Sequence, residues 1–301
     1  MSNWVQKSIV IVGVCLLASP LVFYGSLLLR RPPRTNLQKT LFPGITYQRQ
    51  ALDNPRPLMV HIVTVDLNQS GIGIQVTQGN PTPDNRETTA QTTTEFLKEF
   101  NLQLAVNANF FFPFRENTPW DYYPRSGDRA NAVGLAIADG VVYSSPEEDW
   151  PALCFSPQQT AEIHANGTCP PGTSHAVAGS TALVAKGQPV KLAPNTPNND
   201  GLYSRTAIGI DATGKKLWIV AIDDKQSFYS EGVTLAELTD LFLRLGVHSA
   251  LNLDGGGSTS LVVDDSSRDA VVLNSPVHTK LPLRERPVAN HLGFSVQPPG
   301  L

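Results

Sequence analysis

The hydrophobic pattern splits the chain into an apolar N-terminal run and a body of short alternating segments. From Ser8 to Leu29 no residue is charged. As a helix this run spans roughly 33 Å, enough for a bilayer core of about 30 Å. Pro20 kinks such a helix, which a bilayer tolerates. Arg30-Arg31-Pro32-Pro33-Arg34 stops the run. Ahead of those arginines no site offers the small residues a signal peptidase reads, so residues 1–31 are expected to be an uncleaved membrane anchor. Residues 32–57, rich in proline, arginine and polar residues, are expected to form a stalk.

From Leu58 the period becomes two. Leu58–Leu67 and Ile72–Gln78, around Asn68-Gln69-Ser70-Gly71, predict a hairpin. Thr88–Phe100 predicts a short helix burying Phe96, Leu97 and Phe100. Leu102–Phe112 predicts a strand, and Asp139-Gly140 a tight hairpin turn. Ala176–Val190 and Arg205–Asp224 each predict two strands around a turn. Thr234 and Glu237 form a capping-box pattern, followed by an apolar stripe of Leu235, Leu238, Leu241, Phe242 and Leu245 and a terminating Gly246. His248–Asp265 predicts strand, glycine loop and strand. No internal repeat or second linker is visible. The fold class is therefore α+β: a mixed, mainly antiparallel sheet core with few packed helices. It forms a single domain, residues 58–296, with a short tail at 297–301.

Composition agrees. Charged residues are 16% of the 301, against an average of roughly 25%, while Gly and Pro number 23 and 24. Residues 1–34 hold Lys7, Arg30, Arg31 and Arg34 and no acid, which leaves 19 basic and 26 acidic residues, a net of −7, beyond them. An acidic body excludes nucleic acid as a partner by overall field. The arginines after the run argue for a cytoplasmic body. Cys154 and Cys169, the only cysteines of the body, argue the reverse if paired. That disulfide is worth about 3 kcal/mol; two buried thiols are the alternative.

The strongest chemical signal is Asp254-Gly255-Gly256-Gly257-Ser258-Thr259 at the end of an apolar strand. Glycines let backbone approach a ligand closely, and successive N–H groups in such a loop can cradle an anion. A carboxylate beside a phosphate-sized cradle is expected. Asn107 and Asn109 share one face of a strand and suit sugar hydroxyls or a phosphoryl oxygen, or serve only as turn formers. Arg205 suits a bidentate phosphate clamp. Asp223 ends a strand beside Asp224 and Lys225, as an acid/base group or a solvated turn. Trp120 and Tyr122 lie in an aromatic loop suited to stacking on sugar rings, or to a satellite core. The six histidines show no metal-ligand spacing, and zincin, zinc-finger and α/β-hydrolase motifs are absent.

Five blocks carry a resemblance: Asn107–Phe111, Arg205–Asp211, Gly232–Leu245, Ala250–Ser258 and Arg286–Asn290. In this order the body resembles the phosphodiester glycosidase family over roughly residues 58–296. The resemblance implies an extracytoplasmic, membrane-anchored hydrolase that cleaves a sugar-1-phosphodiester at the anomeric carbon. It implies Asp254 and Asp223 as the carboxylates. Arg205, Gly255, Gly256, Gly257 and Ser258 would then meet the phosphate, Asn107 and Asn109 the sugar hydroxyls, and Trp120 and Tyr122 the sugar face. Relatives carry an Asp-Gly-Arg-like turn where this chain has Asp223-Asp224-Lys225, so Lys225 would meet phosphate as a point charge. No cofactor is required; a divalent cation, if bound, would sit at Asp254. The rival readings are an envelope glycan-binding module without catalysis and a phosphodiesterase that attacks phosphorus.

Overall fold

The computed structural model describes residues 22–80, 84, 86–192, 197–265 and 269–297. Residues 22–29 are helical; the rest of the expected membrane segment lies outside the described residues. Among those described, no helix is long and apolar enough to cross a membrane.

Three antiparallel sheets meet in one core. The first has eight strands in the order 37–42, 45–52, 58–66, 216–222, 205–210, 249–252, 181–185 and 188–189. The second runs 270–272, 261–264, 104–107, 291–296 and 72–76, and the third 141–144, 136–138, 175–178, 152–155 and 161–164. Every ladder among the described residues is antiparallel, including those of the smaller sheets. The period of two explains how the first sheet is covered on both faces. Val63, Val65, Leu217 and Ile219 face a core shared with Leu104, Val106 and Phe294 of the second sheet and Leu153, Phe155 and Val177 of the third. Leu58, Val60, Ile62, Trp218 and Val220 face the other way, onto the helix Leu235–Leu245 through Leu235, Leu238, Leu241 and Phe242.

That helix starts and stops where its residue types require. Thr234 and Glu237 make both bonds of the capping box, and Gly246 ends it in the left-handed region at φ 72°. A second capping box, Thr92 with Glu95, opens the helix Thr93–Glu99. The expected helix thus starts later than Thr88, which instead pairs in a short strand with Ala130. Asp139 and Gly140, both at positive φ, form the predicted tight turn between Ala136–Ala138 and Val141–Ser144. Cys154 and Cys169 are joined by a disulfide, with Cα atoms 5.7 Å apart.

Two expectations are corrected. Residues 32–57 do not form a stalk: Leu37–Phe42 and Ile45–Leu52 are strands of the first sheet, and Ile45 and Tyr47 are buried in the main core. Polar residues on the outer face of these two strands obscure the pattern. Leu58–Asp66 and Ile72–Val76 are strands, but they are not partners. The chain crosses at Asn68–Gly71, so that Leu58–Asp66 pairs with Lys216–Ile222 and Ile72–Val76 with His291–Val296.

Gly209 lies where the helix seats on the first sheet; a Cβ there would stand 2.8 Å from both Phe242 Cδ1 and Val247 Cγ1. Gly209→Val is expected to cost about 1–3 kcal/mol through overpacking, read as a lower urea midpoint at unchanged slope.

Candidate active site

Strand Ser249–Asn252 delivers Asp254 to the rim of a pocket of about 540 Å³. Ser204, Arg205, Asn252, Gly255 and Gly256 line it on the polar side, and Phe110, Trp150 and Tyr203 supply aromatic walls. Among the described lining residues Asp254 is the acidic one. Burial pushes its carboxyl up to about 6, against the Ser258 hydroxyl bond, the Arg286 charge and the Gly255 N–H. A carboxyl in that range exchanges protons near neutral pH, as an acid/base group requires.

The glycine loop has a different task from the one expected. Gly256–Ser258 is a 3-10 turn. The Gly256 N–H donates to the Ser204 carbonyl, Ser258 N–H to Gly255 and Thr259 N–H to Gly256. Gly255 N–H donates to Asp254. These four donors are occupied within the protein, so they do not form an open anion cradle. Glycine is required for space and conformation. A Cβ on Gly255 would stand 2.5 Å from the Ser204 carbonyl oxygen, and one on Gly257 2.5 Å from Arg286 Nη2, while Gly256 takes φ +61°.

Positive charge comes from arginine. Arg286 Nη1 donates to Ser258 Oγ at 3.2 Å, which places its charge one hydroxyl from Asp254. Its guanidinium also bonds Glu116 and His278 Nδ1 and lies 4.5 Å from the Phe114 ring centroid. Burial raises Glu116, but the charges of Arg286 and His278 outweigh it and hold the carboxyl below its usual range. Burial and Arg286 push His278 down to about 4. Arg205, buried in the opposite wall, is lowered by burial to about 10 and supported by Tyr203 and Asp224. It remains fully charged at neutral pH.

The two asparagines hold the site together and have no amide group left over for a ligand. Asn107 Nδ2 donates to the Asp254 carbonyl at 2.6 Å, and its Oδ1 accepts from Thr206 Oγ1 at 2.8 Å and Ser260 N–H at 3.1 Å. Asn109 Nδ2 faces the carbonyls of Val133, Gly134 and Leu135, and its Oδ1 accepts from Ala178 N–H at 2.9 Å. Both are fully buried. Asn199 and Asn252 are the amides that line the pocket, and Asn252 Oδ1 is buried without a hydrogen-bond partner.

Asp223 lies away from the pocket wall. Its Oδ1 accepts from Asn274 Nδ2 at 3.0 Å and Ser275 N–H at 2.8 Å, and its Oδ2 lies 3.2 Å from His61 Nε2, which Tyr47 supports through Nδ1. The next residue, Asp224, also past the end of strand Lys216–Ile222, accepts from Ser204. Burial raises its pKa against bonds from Ser204, and Oδ2 has no hydrogen-bond partner. Trp120 is 80% exposed and Tyr122 packs edge-on to His278; neither lines this pocket. Trp150 and Tyr203 escape sequence reasoning, and Asp224 and Asn252 lie in segments it noted without a role for them, because crossover decides which residue of each segment faces the pocket. Arg286 was visible as part of a motif, with nothing to say what it touches.

Among the described residues no group of three or more His, Cys, Asp or Glu is arranged to hold a metal ion.

Comparison with known proteins adds a family. The phosphodiester glycosidase family model matches residues 100–295. A hypothetical protein from Synechocystis shares the fold at a TM-score of 0.65 and 16% identity, over 89% of this chain and 64% of that one. The chain therefore spans less than two thirds of that protein. The catalytic domain of zebrafish N-acetylglucosamine-1-phosphodiester alpha-N-acetylglucosaminidase, auto-inhibited by its pro-peptide, aligns at 0.58 and 17% identity, over 87% of this chain and 88% of that one. At these identities the likeness is one of fold. No curated protein matches the chain.

Two outcomes follow from this geometry. Asn107→Ala leaves a carbonyl, an N–H and a hydroxyl unpaired in the interior, and is expected to cost about 2–4 kcal/mol in urea unfolding. Asp254 is raised in the folded protein, so the native state holds its proton more tightly than the unfolded chain. Its contribution is present in full below about pH 4 and is lost as pH rises through about 6. Asp254→Asn is therefore expected to gain stability relative to the parent between pH 4 and 6, by about 3 kcal/mol in all, and to hold that gain above pH 7.

Proposed function

Because this chain belongs to the phosphodiester glycosidase family, we propose that it hydrolyses the glycosidic bond of a sugar-1-phosphodiester, releasing the sugar and a phosphomonoester. The family's members are hydrolases that act on phosphodiester glycosides. The observation that carries the proposal is Asp254: a buried carboxyl raised to about 6, on the rim of a pocket with Arg205 in one wall and Arg286 behind Ser258.

The chemistry suits one facing carboxylate and two guanidinium groups. A phosphomonoester leaves with a conjugate-acid pKa of about 6, so its oxygen needs little protonation. Ionised Asp254 takes a proton from water, or stabilises positive charge developing at the anomeric carbon. Water oxygen bonds to that carbon as the carbon–oxygen bond to phosphate breaks. Arg205 in the pocket wall meets the phosphate and its growing charge, Arg286 adds its charge from behind Ser258, and Ser258 orients the Asp254 carboxyl. Tyr203 and Trp150 offer faces to the sugar. Asp224 acts behind the wall, on Ser204 and Arg205. Asp223, tied to His61, holds the strand end in place.

The disulfide supports placing the body outside the cytoplasm, since such bonds persist in oxidising compartments. The apolar run would then anchor it to the envelope membrane.

Hydrolysis of a panel of sugar-1-phosphodiesters in ¹⁸O-labelled water, with and without chelator, tests the proposal. The parent is expected to place label in the sugar, with kcat/KM rising through a limb near pH 6. Asp254→Asn should lose at least about 10³-fold in kcat. Label in the phosphate would mean attack at phosphorus. Sugar-phosphodiester binding by both proteins without turnover would mean a binding module.

A further inference from the structure

The end of the apolar run grips the body at one loop. Arg31 Nη1 donates to Gln226 Oε1 at 3.2 Å, and its guanidinium lies 4.4 Å from the Tyr229 ring centroid. The Tyr229 hydroxyl donates to the Pro32 carbonyl at 3.0 Å. Arg34 donates to the carbonyls of Tyr229 and Leu52 and pairs with Asp53. Residues on both sides of Phe228 are thus fastened to the segment that ends the helical residues 22–29.

Phe228 itself is 89% exposed and sits at φ 61°, in the left-handed region. A residue with a Cβ is uncommon there. The loop holds an aromatic ring out in solvent beside the end of an uncharged apolar run. Leu52, 37% exposed, accepts from the same Arg34 guanidinium as Tyr229, the residue after Phe228. An aromatic ring at that level matches the placement of aromatic residues at a membrane–water interface. The charge of Arg34 is paired with Asp53, so apolar contact is the main attraction, with Arg30 and Lys225 adding to it on an anionic surface.

The same loop borders the pocket. Lys225 Nζ lies 5.9 Å from the centroid of the Tyr203 ring, which lines the pocket. Three residues on is Phe228, at most about 10 Å along the chain.

We infer that the loop from Lys225 to Tyr229 docks on a lipid bilayer through Phe228, and that the pocket takes a sugar phosphodiester whose aglycone is anchored in that bilayer. The second half rests on the hydrolytic reading above. A phosphate at headgroup level is then within reach of the Tyr203 wall without leaving the membrane.

The test uses the full chain in vesicles of phosphatidylcholine and phosphatidylglycerol. In one arm Phe228→Trp is compared with the parent, with lipids brominated on their acyl chains. The emission added by the substitution should fall at least about two-fold; no quenching would overturn the docking. In the other arm two sugar-1-phosphodiesters are offered in the same vesicles, one with a short soluble aglycone and one with a long acyl chain. Phe228→Ser should leave the soluble substrate within about two-fold and slow the lipid substrate about tenfold. Equal rates on both would overturn the lipid substrate. If the parent turns over neither, the hydrolytic reading and the lipid substrate fall together, while the quenching arm still decides the docking.

Discussion

The side chain of Asn107 is the constraint on which the rest of the site depends. Its donor holds the carbonyl of Asp254, and its acceptor holds Thr206 from the first sheet and Ser260 from the entry to the second. One buried amide therefore sets where three segments meet. A buried amide left unpaired is costly, so the arrangement is close to all-or-none. Asn109, two residues on, does the same for the third sheet through Ala178 and the carbonyls of 133–135. Two asparagines at strand spacing thus bring the sheets together around the loop that carries Asp254.

Within that frame, three aspartates of one chemistry have different fates. Asp223 is surrounded by donors and a histidine, and its oxygens are all occupied. Asp224 keeps one oxygen without a partner behind the pocket wall. Asp254 is buried with Ser258 and Gly255 N–H as neighbours and a guanidinium one hydroxyl away, and burial outweighs these, so that its pKa rises. The balance between desolvation and neighbours, not residue type, separates the fully bonded Asp223 carboxylate from one whose pKa is raised. Arginine keeps positive charge in a buried pocket wall because its charge survives burial: Arg205 is lowered only to about 10.

The N-terminal segment belongs to the same construction. The strands Leu37–Phe42 and Ile45–Leu52 continue the first sheet outward, and Arg49 reaches back to Thr35. The apolar run therefore joins the body through paired backbone and the Arg31–Tyr229 contact, which fixes the orientation of the loop near Lys225 and Phe228 relative to the run.

Local features were legible in the sequence because local physics decides them. The Thr234 capping box, the Gly246 stop and the Asp139-Gly140 turn each depend on a few adjacent residues whose φ preferences and hydrogen-bonding groups are known in advance. The period of two identified most strands beyond Leu58, and Asp254 with its glycines stood out as a candidate site. Pairing was decided by the tertiary structure. Nothing in Leu58–Asp66 says that its partner is Lys216–Ile222 rather than Ile72–Val76, since both satisfy the same alternation. The glycine loop needed its neighbours too: whether its N–H groups face an anion or the Ser204 carbonyl depends on a strand fifty residues away. The same holds for the exchange of Trp120 and Tyr122 for Trp150 and Tyr203, and for the role of Arg286. By itself the sequence determined the caps, the tight turn, most strands beyond Leu58 and the apolar run, and it marked the Asp254 segment as a candidate. Only the tertiary structure decided which side chains share a pocket, because contacts between distant segments are set by how whole faces bury together.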